Sequence, residues 1–201
     1  MVLYGFFRYY NLSKQILSNL MYNNYLKFFK LIFKNNSLLR ALQIYECLNI
    51  FLYGTSIEFG ATDNQDKTFS NFVKGKSKFH YSNKISNKKL KVFYSDLTKK
   101  LNIPSKKYNN VLFFNVLEHL PEYKLAFSEI FRIIKKGGFF IGSVPFIYQI
   151  HAAPNDYFRF TKQFFELNFK KNKFKRVKIK ALGFGPFTAS YSLLYPYLKY
   201  L

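Results

Sequence analysis

Two apolar runs of strand length, Val111 to Phe114 and Phe139 to Val144, flank a segment where Tyr123, Phe127, Ile130, Phe131 and Ile134 recur three or four residues apart. Unbroken apolar runs predict strands buried on both faces, and the 3.6-residue period predicts a helix with one apolar face. Lys124, Ser128, Glu129 and Arg132 take the opposite side of that helix. Pro121 suits its start, Lys135 and Lys136 sit where its dipole favours cations, and Gly137 with Gly138 offers the left-handed residue that ends helices. Asn110 to Phe146 therefore reads as a βαβ crossover. In an open sheet built from such units, ligands sit outside the carboxyl ends of the strands, here Asn115, Glu118, His119 and Val144 to Phe146.

The same pattern extends along the chain. Thr55 to Phe59, Lys78 to Tyr81 and Leu90 to Tyr94 read as strands, Thr161 to Asn168 as a helix capped by Thr161, and Arg176 to Leu182 as a late strand. Ser37 to Phe51 reads as a helix with Leu38, Leu42, Tyr45 and Ile50 among its apolar positions, and Lys84 to Lys89 as a loop. The first 35 residues look helical, and Lys27, Lys30 and Lys34 share one face of Asn24 to Lys34, apart from Leu26, Phe29, Ile32 and Phe33. Such a basic amphipathic helix is an interfacial anchor on anionic lipid, a lid, or a helix packed on the domain with its lysines in solvent. Alternating strands and helices predict an α/β fold, a doubly wound and mostly parallel sheet with helices on both faces. The expected division is a helical extension over residues 1–36 and one domain over 37–201. No clear final strand follows Leu182, so the carboxyl-terminal edge of the sheet reads as incomplete, in a fragment or a diverged chain.

Composition narrows the class. With 201 residues and 49% hydrophobic content the chain suits one packed domain and is too apolar for intrinsic disorder. Cys47 is the single cysteine, which permits no internal disulfide and suits a reducing, cytoplasmic setting. No signal-peptide pattern opens the chain, and the longest apolar segment, Leu38 to Tyr53, contains Arg40, Gln43 and Glu46, a poor membrane span. The net charge of +22 points to an anionic partner, nucleic acid or the surface of a membrane. Abundant Lys, Asn, Phe, Ile and Tyr with no Trp also fits AT-rich codon usage, and no nucleic-acid motif or long Arg run is present.

The chemistry gathers at strand ends. Thr55 to Asp63, TSIEFGATD, runs a strand into a turn with Glu58 and Gly60, but Thr62 and Gln65 stand where a G-x-G-x-x-G dinucleotide fingerprint needs glycines. Asp96 in YSDL and Asn115 to His119 follow the next strands, a row of polar groups suited to a nucleoside-type ligand lying across the sheet. HAAPNDYFRFT, residues 151–161, brings His151, Asp156, Tyr157 and Arg159 onto one loop: His151 as a base and Arg159 as an anion holder, or Asp156 and Arg159 as an internal ion pair.

IEFGA at 57–61, SDL at 95–97, NVLEHLPE at 115–122, IIKKGGFFIGSVPF at 133–146 and HAAPNDYFRFT at 151–161 together resemble a class I S-adenosylmethionine-dependent methyltransferase of the methyltransferase type 11 kind. The resemblance covers roughly Leu38 to Leu182 and implies a Rossmann-like fold with S-adenosyl-L-methionine as cofactor. It implies that Glu58, Gly60 and Ala61 form the first cofactor loop, that Asp96 and Leu97 meet the adenine, and that Asn115 and Val116 lie along the methionyl side. Glu118 and His119 would border the reaction centre. Three places depart from the family pattern: Asn83 stands near the usual ribose-binding acid, Thr62 and Asp63 replace small loop residues, and the chain ends without the antiparallel last strand.

Two functions follow. One is methyl transfer to a small-molecule or glycan-type acceptor, which needs positioning more than dedicated catalytic groups. The other is an inactive methyltransferase-like binding module at a membrane or on nucleic acid. No metal is expected, because the histidines at 80, 119 and 151 are scattered without ligand spacing.

Overall fold

The computed structural model describes residues 2–4, 26, 30, 37–61, 68–86, 88, 91–152, 155–183 and 185–198. Its sheet contains β1 (Val2–Tyr4), β2 (Gly54–Phe59), β3 (Ser77–Asn83), β4 (Val92–Tyr94), β5 (Tyr108–Phe114), β6 (Ile134–Val144) and β7 (Ile179–Ala181). The spatial order is β4-β3-β2-β5-β6-β1-β7, and the first five of these run parallel. Among the described residues, helices α1 (Leu38–Cys47), α2 (Tyr123–Ile133), α3 (Lys162–Lys171) and α4 (Pro186–Leu198) accompany the sheet. This is the Rossmann-like α/β architecture that the alternation of elements predicts.

Each face of the sheet has its own core. Ile57, Phe59, Val111 and Phe113 point to α2 and α3, where Phe127, Ile130, Phe165 and Phe169 are buried. Leu112, Phe114 and Ile141 point the other way, to Ile44 and Cys47 of α1 and to Phe69. Strand alternation makes this division, since successive side chains of β5 face opposite sides. Ser37 caps α1 by accepting from Arg40 N, and Thr161 caps α3 by accepting from Phe164 N. The buried residues of α1 are Leu39, Ala41, Gln43, Ile44, Glu46 and Cys47. Leu38, Leu42 and Tyr45 are only half-buried.

The sheet edge differs from expectation. β1 pairs antiparallel with both β6 and β7, with Leu3 opposite Ser143 on one side and Lys180 on the other. The reversed strand between two parallel neighbours thus comes from the start of the chain, while residues 186–198 form a helix. A three-residue strand gives no periodic signal, which explains why the opening reads as helical. Leu26 and Lys30 are helical, and the rest of the basic amphipathic segment, like Leu90, lies outside the described residues.

The turn after α2 also differs. The helix ends at Ile133 and β6 begins at once, so Lys135 and Lys136 are exposed strand residues and the glycine pair caps no helix. Gly137, at φ +80°, lies where the register jumps from Tyr108 opposite Ile134 to Asn110 opposite Phe139. A bulge needs that left-handed residue.

Glu129, placed by periodicity on the polar side of α2, is buried. Its carboxylate accepts from Leu101 N and from Arg132 Nε and Nη2, while Arg132 also donates to the carbonyls of Leu101 and Ile103. Arg132 holds the Glu129 carboxyl below its usual range. A depressed carboxylate stabilises the fold above its unfolded pKa, about 4.3, and that contribution is lost as pH falls through the lower, folded value. Glu129→Gln is expected to flatten the acid limb of a stability-against-pH curve measured by urea unfolding, and to cost about 1–3 kcal/mol at neutral pH by weakening the bonds to Leu101 N and Arg132.

Candidate functional site

The carboxyl ends of β2, β3, β4, β5 and β6 lie side by side and place the chemistry on one edge. After β2, Gly60 turns with φ +75°, and its N–H donates to Ser82 O of β3. A Cβ built at Gly60 would lie 2.6 Å from Val116 Cγ2, so the β2 turn and the loop after β5 pass each other where only glycine fits. Residues 62 and 63, where small loop residues were expected, lie outside the described residues.

The polar row is present but partly used internally. Glu58 is buried, and its two oxygens accept from Phe69 N at 2.7 Å and Ser70 N at 2.8 Å. Burial raises its carboxyl and these amide bonds pull it back. Asn83 donates to Ala61 O at 2.7 Å and accepts from Lys84 N at 2.7 Å. Asp96 Oδ1 accepts from Thr98 N and Thr98 Oγ1, which holds its carboxyl low, while Oδ2 is 4.0 Å from Lys99 Nζ. Leu97 is buried in the core. Ser82 and Ser95 hydroxyls join the ends of β3 and β4.

Asn115, in the left-handed region at φ 53°, accepts from Gln43 Nε2 at 2.8 Å and from Ser143 Oγ at 3.2 Å. Gln43 also donates to Ser143 Oγ at 2.7 Å. Sequence reading missed Gln43, although a glutamine on the buried face of α1 is the signal that marks it. It fixes the loop after β5 to the end of β6 from below.

Beyond Val116, Leu117–His119 forms one 3-10 turn, and Tyr157 N donates to Glu118 O at 2.8 Å, which ties this turn to the loop after β6. Glu118 is 0% exposed, and among the described residues neither carboxylate oxygen has a hydrogen-bond partner. Burial pushes its carboxyl up to about 8. Burial also pulls the His119 imidazolium below its usual pKa. The rings of His119 and His151 meet edge to face with centroids 5.0 Å apart, which corrects the expectation that the histidines are scattered. His80 does stand apart, bonded through Nδ1 to Tyr108 Oη.

The ion-pair reading of the loop after β6 holds. Arg159 donates to both oxygens of Asp156 and to the carbonyls of Phe158 and Gln149, so its guanidinium serves the loop itself. Arg159 in turn holds the Asp156 carboxyl far below its usual range. Asp156 Oδ2 accepts from His151 N at 2.9 Å, and the Tyr157 side chain is 47% exposed at the rim. Glu118, His119, His151 and Asp156 therefore form one cluster at the mouth of β5 and β6. An open groove of about 760 Å³, lined by Lys78, His80, Lys107 and Tyr108 among others, lies along the amino-terminal halves of the strands, away from this edge.

Residues 70–142 match the family described as a methyltransferase domain, a span that runs from the 3-10 turn before β3 into β6 and contains the 115–119 loop. That segment resembles the class I S-adenosylmethionine-dependent methyltransferases. The chain is similar in fold to a Thermotoga maritima S-adenosylmethionine-dependent methyltransferase, a possible histamine N-methyltransferase, at TM-score 0.51 and 18% identity, over 76% of this chain and 77% of that one. It is also similar to a Haloferax volcanii complex of the Trm112 methyltransferase activator with a protein described as a methyltransferase, at TM-score 0.51 and 14% identity, over 67% of this chain and 68% of that one. No curated protein matches the sequence. Among the described residues, no helix is long and apolar enough to cross a membrane.

Proposed function

We propose that the protein transfers a methyl group from S-adenosyl-L-methionine to a small-molecule or glycan-type acceptor bound at the loops after β5 and β6. The observation that carries this reading is the close approach of the Gly60 turn to Val116 at the carboxyl edge of the two central strands, where a Cβ on residue 60 would lie 2.6 Å from Val116 Cγ2 and only bare backbone fits. The residues fit the cofactor there chiefly through main chain. Gly60 and Ala61 would hold the methionine part, Asp96 would offer an acceptor to the adenine, and Asn115 and Val116 would line the path between them. Glu58 supports this cradle from behind by holding the amides of residues 69 and 70, and Asn83 by holding Ala61 O.

S-adenosylmethionine supplies an already activated methyl group, so the protein contributes position and proton handling. Glu118, His119 and His151 stand beside the acceptor. Nδ1 of His151 lies 3.2 Å from Asp156 Oδ2, which keeps the proton on Nδ1 and leaves Nε2 to take a proton from an acceptor hydroxyl or amine.

Asp96→Ala is expected to weaken S-adenosylhomocysteine binding about tenfold or more, the cost of one charge-assisted hydrogen bond, with far-UV circular dichroism unchanged. Unchanged affinity would remove Asp96 from the site. Glu58→Ala is expected instead to lower stability, since it leaves two buried amides without an acceptor.

A further inference from the structure

Glu118, His119 and His151 turn three lone pairs toward one another. Glu118 Oε1 lies 3.7 Å from His119 Nε2 and 3.9 Å from His151 Nε2, and one ligand atom from each residue lies within 4.8 Å of the others. These separations are too long for hydrogen bonds. They are close to the spacing of ligands around one ion, since bonds of about 2.1 Å in a tetrahedron hold donors about 3.4 Å apart.

The surroundings settle which nitrogen carries each proton. His119 Nδ1 is 2.6 Å from the carbonyl of Asn155, a group that only accepts, so Nδ1 bears the hydrogen and Nε2 is bare. His151 Nδ1 faces the carboxylate of Asp156 at 3.2 Å and Gln149 O at 3.4 Å, with the same result. Asp156 is itself fixed by Arg159 and by His151 N. A histidine whose second nitrogen donates to a carboxylate or a backbone carbonyl is the arrangement that orients imidazoles on metals. The Glu118 carboxylate, wholly buried and without a hydrogen-bond partner among the described residues, supplies the anionic ligand, and the His151 side chain, 31% exposed, leaves an entry path.

We propose that these three side chains bind a single divalent transition-metal ion through Glu118 Oε1, His119 Nε2 and His151 Nε2. Two imidazoles and one carboxylate suit Zn²⁺, with Co²⁺, Mn²⁺ and Fe²⁺ as chemical relatives. Three protein ligands leave a coordination position open, the pattern of an ion that binds water or substrate. On the methyltransferase reading, on which only this role rests, that position takes an acceptor oxygen, and the ion makes the hydroxyl acidic in place of a free imidazole. The ion site itself stands independently of that reading.

The test is direct titration of the untagged full-length chain, freed of metal with a chelator, with ZnCl₂ and separately CoCl₂, followed by calorimetry and by the visible spectrum of Co²⁺. One equivalent is expected to bind. His151→Ala and Glu118→Gln should each weaken it by more than tenfold, and Asp156→Asn by about 10–100-fold through loss of the oriented imidazole. His80→Ala, remote from the cluster, should leave it unchanged. Because no cofactor is present, failure here is distinct from failure of the methyl-transfer reading. Binding that is absent, or that survives both His151→Ala and Glu118→Gln, overturns the proposal. Circular dichroism identifies a variant that has lost its fold, and Asp156→Asn then decides, with unchanged affinity counting against the site.

Discussion

Deletion of residues 1–4 is expected to lower the unfolding free energy by about 2–4 kcal/mol, the net worth of a few ladder hydrogen bonds at about 0.5–1.5 kcal/mol each. β1 is paired on both sides, with Gly142, Ser143 and Val144 of β6 and with Ile179, Lys180 and Ala181 of β7. Without it, backbone groups of β6 lose partners and β7 loses the strand that joins it to the sheet. Ser143 is also the residue whose hydroxyl and carbonyl hold Asn115 and whose hydroxyl accepts from Gln43, so loosening here reaches the site loop. Urea unfolding checks this: the midpoint should fall with little change in slope. Leu3→Pro, which removes one ladder donor, should act in the same direction. A deletion chain with an unshifted midpoint would show that β1 adds nothing to the sheet.

Gly60→Val is expected to lower cofactor affinity by more than tenfold. Two independent effects combine. A β-branched residue at φ +75° is a strained outlier, costing at least about 1–2 kcal/mol, and its Cβ would stand 2.6 Å from Val116 Cγ2. The relief is to push the β2 turn and the 116–119 loop apart, which opens the cradle between them. Gly60→Ala should give a smaller loss in the same assay, calorimetric titration with S-adenosylhomocysteine. Equal affinity in the valine variant and the unmodified chain would place the cofactor elsewhere.

The strand ends were legible because parallel strands buried on both faces leave long apolar runs, and a polar residue after such a run marks the carboxyl edge. Asp96, Asn115 and Glu118 were found this way. The partners of those residues were hidden. Gln43 lies 72 residues from Asn115, and His151 lies 32 residues beyond His119, so only the adjacency of α1, β5 and β6 brings them together. The glycine pair at 137 and 138 looked like a helix cap because a bulge and a cap both need a left-handed residue, and sequence does not say which backbone follows. Val2–Tyr4 was too short to show a period at all. Glu58 and Glu129 read as free carboxylates, yet folding spends both on buried amides.

The most direct measurement of the central claim is the same calorimetric titration on the unmodified full-length chain. Saturable binding of one S-adenosylhomocysteine per chain is expected. No detectable heat at millimolar ligand, from a chain whose circular dichroism shows it folded, would contradict it.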